Sequence, residues 1–239
     1  MDTTALEGRH IVLTRPTAGR LSDRLRGLGA LVDHVPLIEI DEASDGGAAL
    51  AASCERLDSF DWLVVTSANG ASRVGAAART STVRLAAVGE ATAAALSELA
   101  GRPVDLVPDR QHTQGLLAVF PRLPASVLLA QGNLAGPELA SGLRSIGCGV
   151  TVVEAYTTRH RRLTADERSR LSHADVVVLS SGSAVDAWLE SESGPIDAAL
   201  VAIGPKTAAV ATSRGLPVAA VSSTPRDDDV VDAIVEALG

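Results

Sequence analysis

The chain contains an internal repeat. A segment that starts at Leu85, LAAVGEATAAALSELAGRPVDLVP, aligns with LVAIGPKTAAVATSRGLPVAAVS, which starts at Leu200, about 115 residues later. DWLVVTSANGAS aligns with DVVVLSSGSAV, IVLTRP with VLLAQG, and GLGALVDHVPLIEI with SIGCGVTVVEAYTT, at similar offsets. Blocks that keep their order and nearly constant spacing indicate a duplication rather than chance similarity between segments rich in alanine and valine. The repeat therefore predicts two halves that share one order of strands and helices.

Each half alternates short runs of Val, Leu and Ile with Ala- and Leu-rich stretches of helical period. This alternation is typical of parallel strands joined by crossover helices. Strands are predicted over 10–13, 31–35, 62–66, 84–88, 104–107, 126–130, 150–154, 176–180, 200–203 and 218–221. Helices are predicted over 18–28, 68–78, 90–100, 113–123, 137–146, 183–191, 206–214 and 227–238. The predicted fold is α/β, with two similar lobes, each a parallel sheet flanked by helices, and a cleft between them, where small-molecule sites tend to lie.

The composition argues against several kinds of partner. With 239 residues, 46% of them hydrophobic, the chain can fill two cores of ordinary size. A net charge of -8 and an aromatic share of 2% argue against binding of nucleic acid. Phosphate groups bind basic surfaces and unpaired bases stack on aromatic side chains, and this chain is acidic and poor in aromatic residues. No apolar run approaches the roughly 18 residues of a membrane helix, and the N-terminus has no apolar secretory core. We therefore expect a cytoplasmic protein that binds neither nucleic acid nor a membrane.

Small polar turns follow most of the predicted strands. In an open parallel sheet the carboxyl ends of the strands carry the ligand, because the next helix presents unpaired N–H groups and the positive end of its dipole there. Helix capping alone explains any single turn better than ligand binding does, but several such turns facing one cleft favour an anion-binding surface. The candidate residues in these turns are Thr66, Ser67, Asn69, Gly89, Ser180, Ser181, Gly204, Lys206, Thr207 and Thr224.

Motifs of other functional classes are missing from the sequence. It has no Walker A loop, no GxGxxG after the first strand and no GxSxG turn. Its five histidines and two cysteines show no spacing typical of metal ligands or of a nucleophile and its base. Arg15, directly after the first strand, suits a bound carboxylate or an exposed ion pair. Tyr156, the only tyrosine, suits packing or proton donation.

Taken together, the motifs resemble the uroporphyrinogen-III synthase family across nearly the full chain. The resemblance rests on the order and spacing of IVLTRPTAGRLSDRLRGLGALVDHVPLIEI, VVTSANGASRV, LAAVGEATAAAL, VVEAYTT, VVLSSGSAVDAW, AIGPKTAAVATSRGL and STPRDDDVVDAIVEAL. It implies two lobes joined by two extended linkers. One lobe would hold residues 1–37 together with 159–239, the other residues 41–154, and the linkers would be 37–41 and 155–158.

The same resemblance implies an enzyme that uses no metal and no organic cofactor. Members of the family convert linear hydroxymethylbilane to uroporphyrinogen III in tetrapyrrole (heme, siroheme and cobalamin) biosynthesis, with loss of water, ring closure and inversion of the last pyrrole. The implied partner of this chain is thus a small-molecule polycarboxylate tetrapyrrole. Tyr156 matches the family's tyrosine and is the expected proton donor. Positions at which the family lines its cleft are Arg15, Thr66, Ser67, Ser181, Gly204, Lys206, Thr207 and Thr224.

The sequence departs from the family pattern at residues 131–136. Many members place one arginine just before the glycine of this turn and another a few residues later, whereas this chain reads QGNLAG. We expect a monomeric cyclising hydro-lyase, with a catalytically weakened tetrapyrrole-binding or sensory module on the same scaffold as the alternative. A two-lobed solute-binding protein is disfavoured by the missing signal peptide.

Overall fold

Two sheets organise the chain into two units. The computed structural model describes residues 5–17, 19–191 and 197–239. One unit consists of Met1–Glu39 and Arg159–Gly239, and the other of Ile40–Thr158. In chain order the elements are β1 (His10–Leu13), α1 (Gly19–Gly27), β2 (Leu31–His34), β3 (Ile38–Asp41), α2 (Ala48–Glu55), β4 (Trp62–Val65), α3 (Ala68–Thr80), β5 (Arg84–Ala87), α4 (Glu90–Ala100), α5 (Thr113–Val119), β6 (Ser126–Gly132), α6 (Glu138–Ser145), β7 (Gly149–His160), α7 (Ala165–Ser172), β8 (Val176–Leu179), α8 (Gly182–Glu190), β9 (Ala199–Ala202), α9 (Pro205–Ser213), β10 (Ala220–Val221) and α10 (Asp227–Leu238).

The two sheets repeat one order over four of their five strands. The first has the order β10-β9-β8-β1-β2, and its neighbouring strands pair in parallel. The second has the order β3-β7-β6-β4-β5, with β7, β6, β4 and β5 paired in parallel. The repeated segments place β6, β7, β4 and β5 as the counterparts of β1, β2, β8 and β9, and these strands occupy the same relative positions in both sheets. The α/β fold with two similar sheets is therefore confirmed.

Both faces of the second sheet are buried, which explains its continuous apolar strands. Alternate residues of a strand point to opposite faces. Leu63 and Leu128 belong to a core with α3 and α4, whereas Val64 and Leu129 belong to a core with α5 and α6. In the first sheet, residues such as Ile11 pack against α1 and α10, while α8 and α9 contact β8 and β9. Each sheet therefore presents only its ends and edges to a ligand.

Several predicted elements need correction. The predicted strand 104–107 is wrong: only an isolated bridge joins Leu106 to Ala86, and prolines at 103 and 108 bracket the segment and remove backbone donors there. The helices α2 and α7 were not predicted. The predicted helix 113–123 ends at Val119, ahead of a proline at 121. Residue 18, with which another predicted helix began, lies outside the described residues.

The segments expected to be linkers carry strands here. β3 covers most of 37–41, and β7 runs without interruption through 155–158 to His160. The boundary between the two units falls inside each of these strands. The two strands are also neighbours in the second sheet.

Candidate active site

The carboxyl edge of the second sheet gathers the predicted residues of this unit. Thr66 and Ser67 follow β4, Gly89 follows β5, and Tyr156 lies in β7 opposite Gly132, the last residue of β6. Because β4, β5, β6 and β7 are parallel, their carboxyl ends meet at one edge. Thr66, Ser67 and Tyr156 are partly buried, and Asn69, in the first turn of α3, is exposed.

A hydrogen-bond chain connects the α3 N-terminus to Tyr156. The Gly70 backbone N–H donates to Ser67 Oγ over 3.0 Å, so that Ser67 is the N-cap of α3. Ser67 Oγ in turn donates to Tyr156 Oη over 3.0 Å. The proton of Ser67 is thereby committed to the phenol oxygen, and the phenol retains its own proton for a third group. The arrangement places the phenol near the positive end of the α3 dipole.

A bulge in β7 sets the side of the sheet on which Tyr156 lies. Gln131 pairs with Glu154, but the next residue, Gly132, pairs with Tyr156, so that Ala155 is an extra residue in β7. With regular alternation, Tyr156 would face away from Ala155. Instead, both residues belong to the core formed with α3 and α4. The bulge therefore brings the phenol to the side of the sheet that carries Ser67.

The turn after β5 is contacted by Gln111, a residue just before α5 that sequence reasoning missed. Gln111 Oε1 accepts from the Glu90 backbone N–H over 3.2 Å, at the first residue of α4. A side chain on Gly89 would collide with Gln111, because its Cβ would lie 2.8 Å from that same oxygen. Gln111 thus covers the α4 N-terminus, which was predicted to be open to an anion. Because Gln111 lies 21 residues after Glu90 in the sequence, no local sequence pattern indicates this contact.

The carboxyl edge of the first sheet gathers the remaining predicted residues. Its strand ends carry Arg15 after β1, Ser180 and Ser181 after β8, Gly204, Lys206 and Thr207 after β9, and Thr224 after β10. Ser181 Oγ accepts from the Ala184 N–H over 3.1 Å and caps α8, as Ser67 caps α3. The buried Ser180 Oγ makes no hydrogen bond with any described residue. Among the described residues, no side chain caps α9, where Lys206 is exposed and Thr207 is buried.

Arg15 lies close to the start of α10. Its Nη1 is 3.9 Å from Asp227 Oδ1, and its side chain is 20% exposed. Burial lowers the pKa of the Arg15 guanidinium, an effect that the Asp227 carboxylate partly offsets. An arginine remains charged at neutral pH. Arg15 therefore presents a partly buried positive charge at the carboxyl end of β1.

The Thr224 hydroxyl is engaged by the α10 N-terminus. It accepts from the Arg226 N–H over 3.2 Å and donates to the Asp229 carboxylate. Beside this turn, a cavity of about 530 Å³ is lined by residues of α1 and of the start of α10. Sequence reasoning missed the three arginines in its wall: Arg20, Arg24 and Arg226.

The histidines and cysteines do not form a metal centre. Within the described residues, no group of three or more His, Cys, Asp and Glu side chains could hold a metal ion. His112 caps α5 through Nδ1, which accepts from the Gly115 N–H over 3.1 Å. Burial raises the pKa of the Cys54 and Cys148 thiols. In the same part of the chain, no helix combines the length and apolarity needed to cross a membrane.

Comparison with known proteins assigns the family. The family model described as Uroporphyrinogen-III synthase HemD matches residues 19–232. The chain belongs to the uroporphyrinogen-III synthase family. The chloroplastic uroporphyrinogen-III synthase of Oryza sativa is 30% identical over 223 residues, which cover 86% of this chain and 72% of that protein. The Synechococcus elongatus uroporphyrinogen-III synthase is 30% identical over 196 residues, which cover 75% of this chain and 73% of that protein. Both relatives are named as enzymes, which favours the predicted hydro-lyase over a binding module.

Solved structures of uroporphyrinogen III synthases share the fold. A mutant of the Thermus thermophilus enzyme has a TM-score of 0.70 at 17% identity, covering 97% of this chain and 99% of that one. The Helicobacter pylori uroporphyrinogen-III synthetase has a TM-score of 0.64 at 16% identity, and the match covers 95% of this chain and 98% of that one. At these identities the likeness supports the fold alone.

Proposed function

We propose that this protein converts hydroxymethylbilane to uroporphyrinogen III, with Tyr156 as the proton donor. The hydrogen bond from Ser67 Oγ to Tyr156 Oη carries the proposal. It fixes the phenol at the carboxyl edge of a parallel sheet and leaves the phenol proton for the substrate. Family membership supports the reaction, and this contact supports the residue that performs it.

The reaction requires loss of a hydroxyl group from an electron-rich pyrrole. Tyr156 transfers its proton to the substrate hydroxyl, the C–O bond breaks, and water leaves with the bonding electron pair. Electrons of the pyrrole stabilise the cation that remains. The last pyrrole attacks this cation through its already substituted α-carbon, and the bond from that carbon to the old bridge then breaks, which inverts the ring and leaves a second pyrrole-stabilised cation at the old bridge. The free α-carbon of the inverted ring attacks this second cation and closes the macrocycle, and the proton that this carbon loses returns to the tyrosinate.

Ser67 stabilises the charge that develops on Tyr156. As the phenol loses its proton, the hydrogen bond from Ser67 becomes a bond to an anion, which is roughly twice as strong as a neutral one. The α3 dipole adds a favourable field at the same end of the helix. These interactions are stronger in the transition state than in the ground state, which is the condition for accelerating the chemical step.

Strand ends of both sheets are proposed to hold the substrate carboxylates. In the first unit these are the guanidinium of Arg15, the unpartnered hydroxyl of Ser180, the α8 turn at Ser181, and the α9 N-terminus with Gly204, Lys206 and Thr207. In the second unit they are Thr66 and Asn69, beside Ser67, whereas Gly89 is a weaker candidate because Gln111 covers the α4 N-terminus. N–H groups at helix N-termini and hydroxyls bind anions without a large excess of basic residues, which fits a chain with a net charge of -8.

Thr224 is a weaker candidate, because its hydroxyl already bonds Arg226 and Asp229. The cavity beside this turn has Asp227 and Asp228 in its wall as well as three arginines, and Arg24 already pairs with Asp228. Arg20 and Arg226 are therefore the second candidates for binding carboxylates there. A monomeric, cytoplasmic enzyme that requires no added cofactor belongs to the same proposal. Sedimentation, cell fractionation and activity after treatment with a chelator test these parts.

The product isomer tests the function. The purified protein is mixed with freshly prepared hydroxymethylbilane, and the products are oxidised and separated by chromatography into type I and type III isomers. We expect type III to predominate, at a rate above that of the buffer control. Formation of type I alone, at the spontaneous rate, would refute the proposed activity. Tight tetrapyrrole binding with that result would instead support the sensory alternative.

A further inference from the structure

We propose that the turn at residues 131–133 is a positioning device for Tyr156. In this proposal Gly132 leaves the space that the phenol ring occupies, and Asn133 holds the strand that carries the ring. The catalytic consequence rests on the proposed role of Tyr156 as proton donor, whereas the positioning itself can be measured without any turnover.

Gly132 allows the Tyr156 ring to lie directly against the backbone of β6. A Cβ atom on Gly132 would lie 2.6 Å from Tyr156 Cζ, 2.8 Å from Oη and 2.9 Å from Cε2. Such distances are far below the van der Waals contact of carbon atoms, about 3.5 to 4.0 Å. Gly132 is buried at the end of β6 and pairs with Tyr156. Even the smallest side chain at this position would therefore displace the ring and its hydroxyl.

Asn133 extends the pairing of β6 and β7 beyond the last strand residue. Its backbone N–H donates to Tyr156 O over 3.2 Å. Its side-chain Oδ1 accepts from the Thr158 N–H over 2.8 Å, and its Nδ2 donates to Thr158 O over 3.3 Å. The side-chain amide thus pairs with Thr158 as a peptide group of a neighbouring strand would. Asn133 therefore binds the β7 backbone at the Tyr156 carbonyl and again at Thr158, two residues later.

These contacts follow the bulge directly. An extra residue in a strand re-aims the side chains after it and weakens the local ladder. The Asn133 hydrogen bonds restore the pairing of β6 and β7 on the carboxyl side of Ala155. The backbone of β7 is therefore paired both before and after the bulge, which fixes the direction in which the Tyr156 side chain points. The phenol can then meet Ser67 Oγ, which the α3 cap independently holds in place.

The single tyrosine makes the positioning directly observable. Protein labelled with tyrosine that carries ¹³C at Cζ gives one resonance, from residue 156, since the chain contains one tyrosine. We expect Gly132→Ala to shift this resonance, because the substitution moves the ring and breaks the bond from Ser67. Asn133→Ala is expected to shift it less and to accelerate hydrogen exchange at the Thr158 amide. Asn133→Asp, which keeps the acceptor for Thr158 N–H, should restore much of the amide protection.

Gly142→Ala is the matched control. Its Cβ would lie 2.3 Å from Leu117 Cδ1, in the same unit but against α5 instead of Tyr156. It should reduce stability without moving the tyrosine resonance. An unchanged resonance in Gly132→Ala, or an equal shift in both variants, would overturn the inference whether or not the protein forms the type III isomer.

Kinetics give a second, separate readout. We expect Gly132→Ala to lower kcat by up to about 10²-fold, as a displacement of a reacting group by about 1 Å can do, with KM changed less than about threefold. In a Tyr156→Phe background the same substitution should lower kcat little further. Full additivity of the two effects would contradict action through Tyr156. If Tyr156→Phe alone leaves kcat unchanged, the proposed donor role fails, while the resonance still decides the positioning.

Discussion

Replacing Ser67 by alanine separates the structural role of this residue from its catalytic role. Ser67 Oγ accepts from the Gly70 N–H and donates to Tyr156 Oη, each over 3.0 Å. Loss of an N-cap costs about 0.5 to 2 kcal/mol of unfolding free energy. The buried Gly70 N–H also loses its partner, which places the cost in the upper part of that range, at about 1 to 2 kcal/mol. We expect a corresponding fall in the urea midpoint.

The effect of Ser67→Ala on kcat follows from the second hydrogen bond. A neutral hydrogen bond contributes about 0.5 to 1.5 kcal/mol, and one to a charged group about 1.5 to 3 kcal/mol. The difference, about 1 to 1.5 kcal/mol, is stabilisation that Tyr156 loses only as its proton leaves. It corresponds to a decrease in kcat of about tenfold. KM should change little, because the bond is present before the proton moves.

Two caps elsewhere in the chain serve as controls for Ser67→Ala. Ser181→Ala removes an equivalent N-cap in the first unit and should lower the unfolding free energy by a similar amount. Thr164→Ala removes the capping box of α7, which pairs Thr164 with Glu167, and should cost stability while leaving kcat unchanged. A Ser67→Ala variant with reduced stability and wild-type kcat would show that Ser67 only caps α3. Recovery of kcat in Ser67→Thr would support the hydroxyl as the active group.

Two further predictions concern charged groups. Hydrogen bonds to Asp61, chiefly from the Ser126 backbone N–H, lower the pKa of the Asp61 carboxyl group. The contribution of this carboxylate to the free energy of unfolding is therefore complete above the unfolded pKa of about 3.9. It is lost as the pH falls through the lower folded pKa. The difference in urea midpoint between wild type and Asp61→Asn should accordingly be present at neutral pH and shrink in acid, and a difference that grows in acid would contradict this assignment. If Arg15 binds a substrate carboxylate, Arg15→Gln should raise KM by about 10- to 100-fold, the equivalent of about 1.5 to 3 kcal/mol. Arg9→Gln, at the opposite end of β1 and in an exposed ion pair, should leave KM unchanged, and equal effects of the two substitutions would refute the role of Arg15.

Features of the fold that depend on neighbours in sequence were predictable. Ser67 and Ser181 each precede a helix and lie three residues before the N–H that they cap, so that both turns were recognised from local patterns. The α7 start has an equally local signal, since Thr164 and Glu167 form a capping box, but the polar composition of this short helix concealed it. The internal repeat predicted the shared strand order because the two sheets descend from one pattern.

Features that depend on distant parts of the chain could not be predicted. The bulge at Ala155, the contact of Gly132 with Tyr156 and the cover of the α4 N-terminus by Gln111 all arise when strands and loops meet in space. The sequence singled out Tyr156 through family resemblance and its rarity, with no signal for the bond from Ser67. Likewise, residues 38–41 read IEID, with acidic side chains that are uncommon in strands, and their partner β7 lies more than 100 residues away in the sequence.

The most direct test of the proposed mechanism is the single-turnover rate of Tyr156→Phe with hydroxymethylbilane, measured together with the isomer formed. Phenylalanine keeps the ring that packs against Gly132 and removes only the hydroxyl. We predict that formation of the type III isomer becomes about 10²-fold slower, the usual contribution of a general acid, with substrate binding retained. A rate equal to that of the wild-type protein would contradict the assignment of Tyr156 as the proton donor.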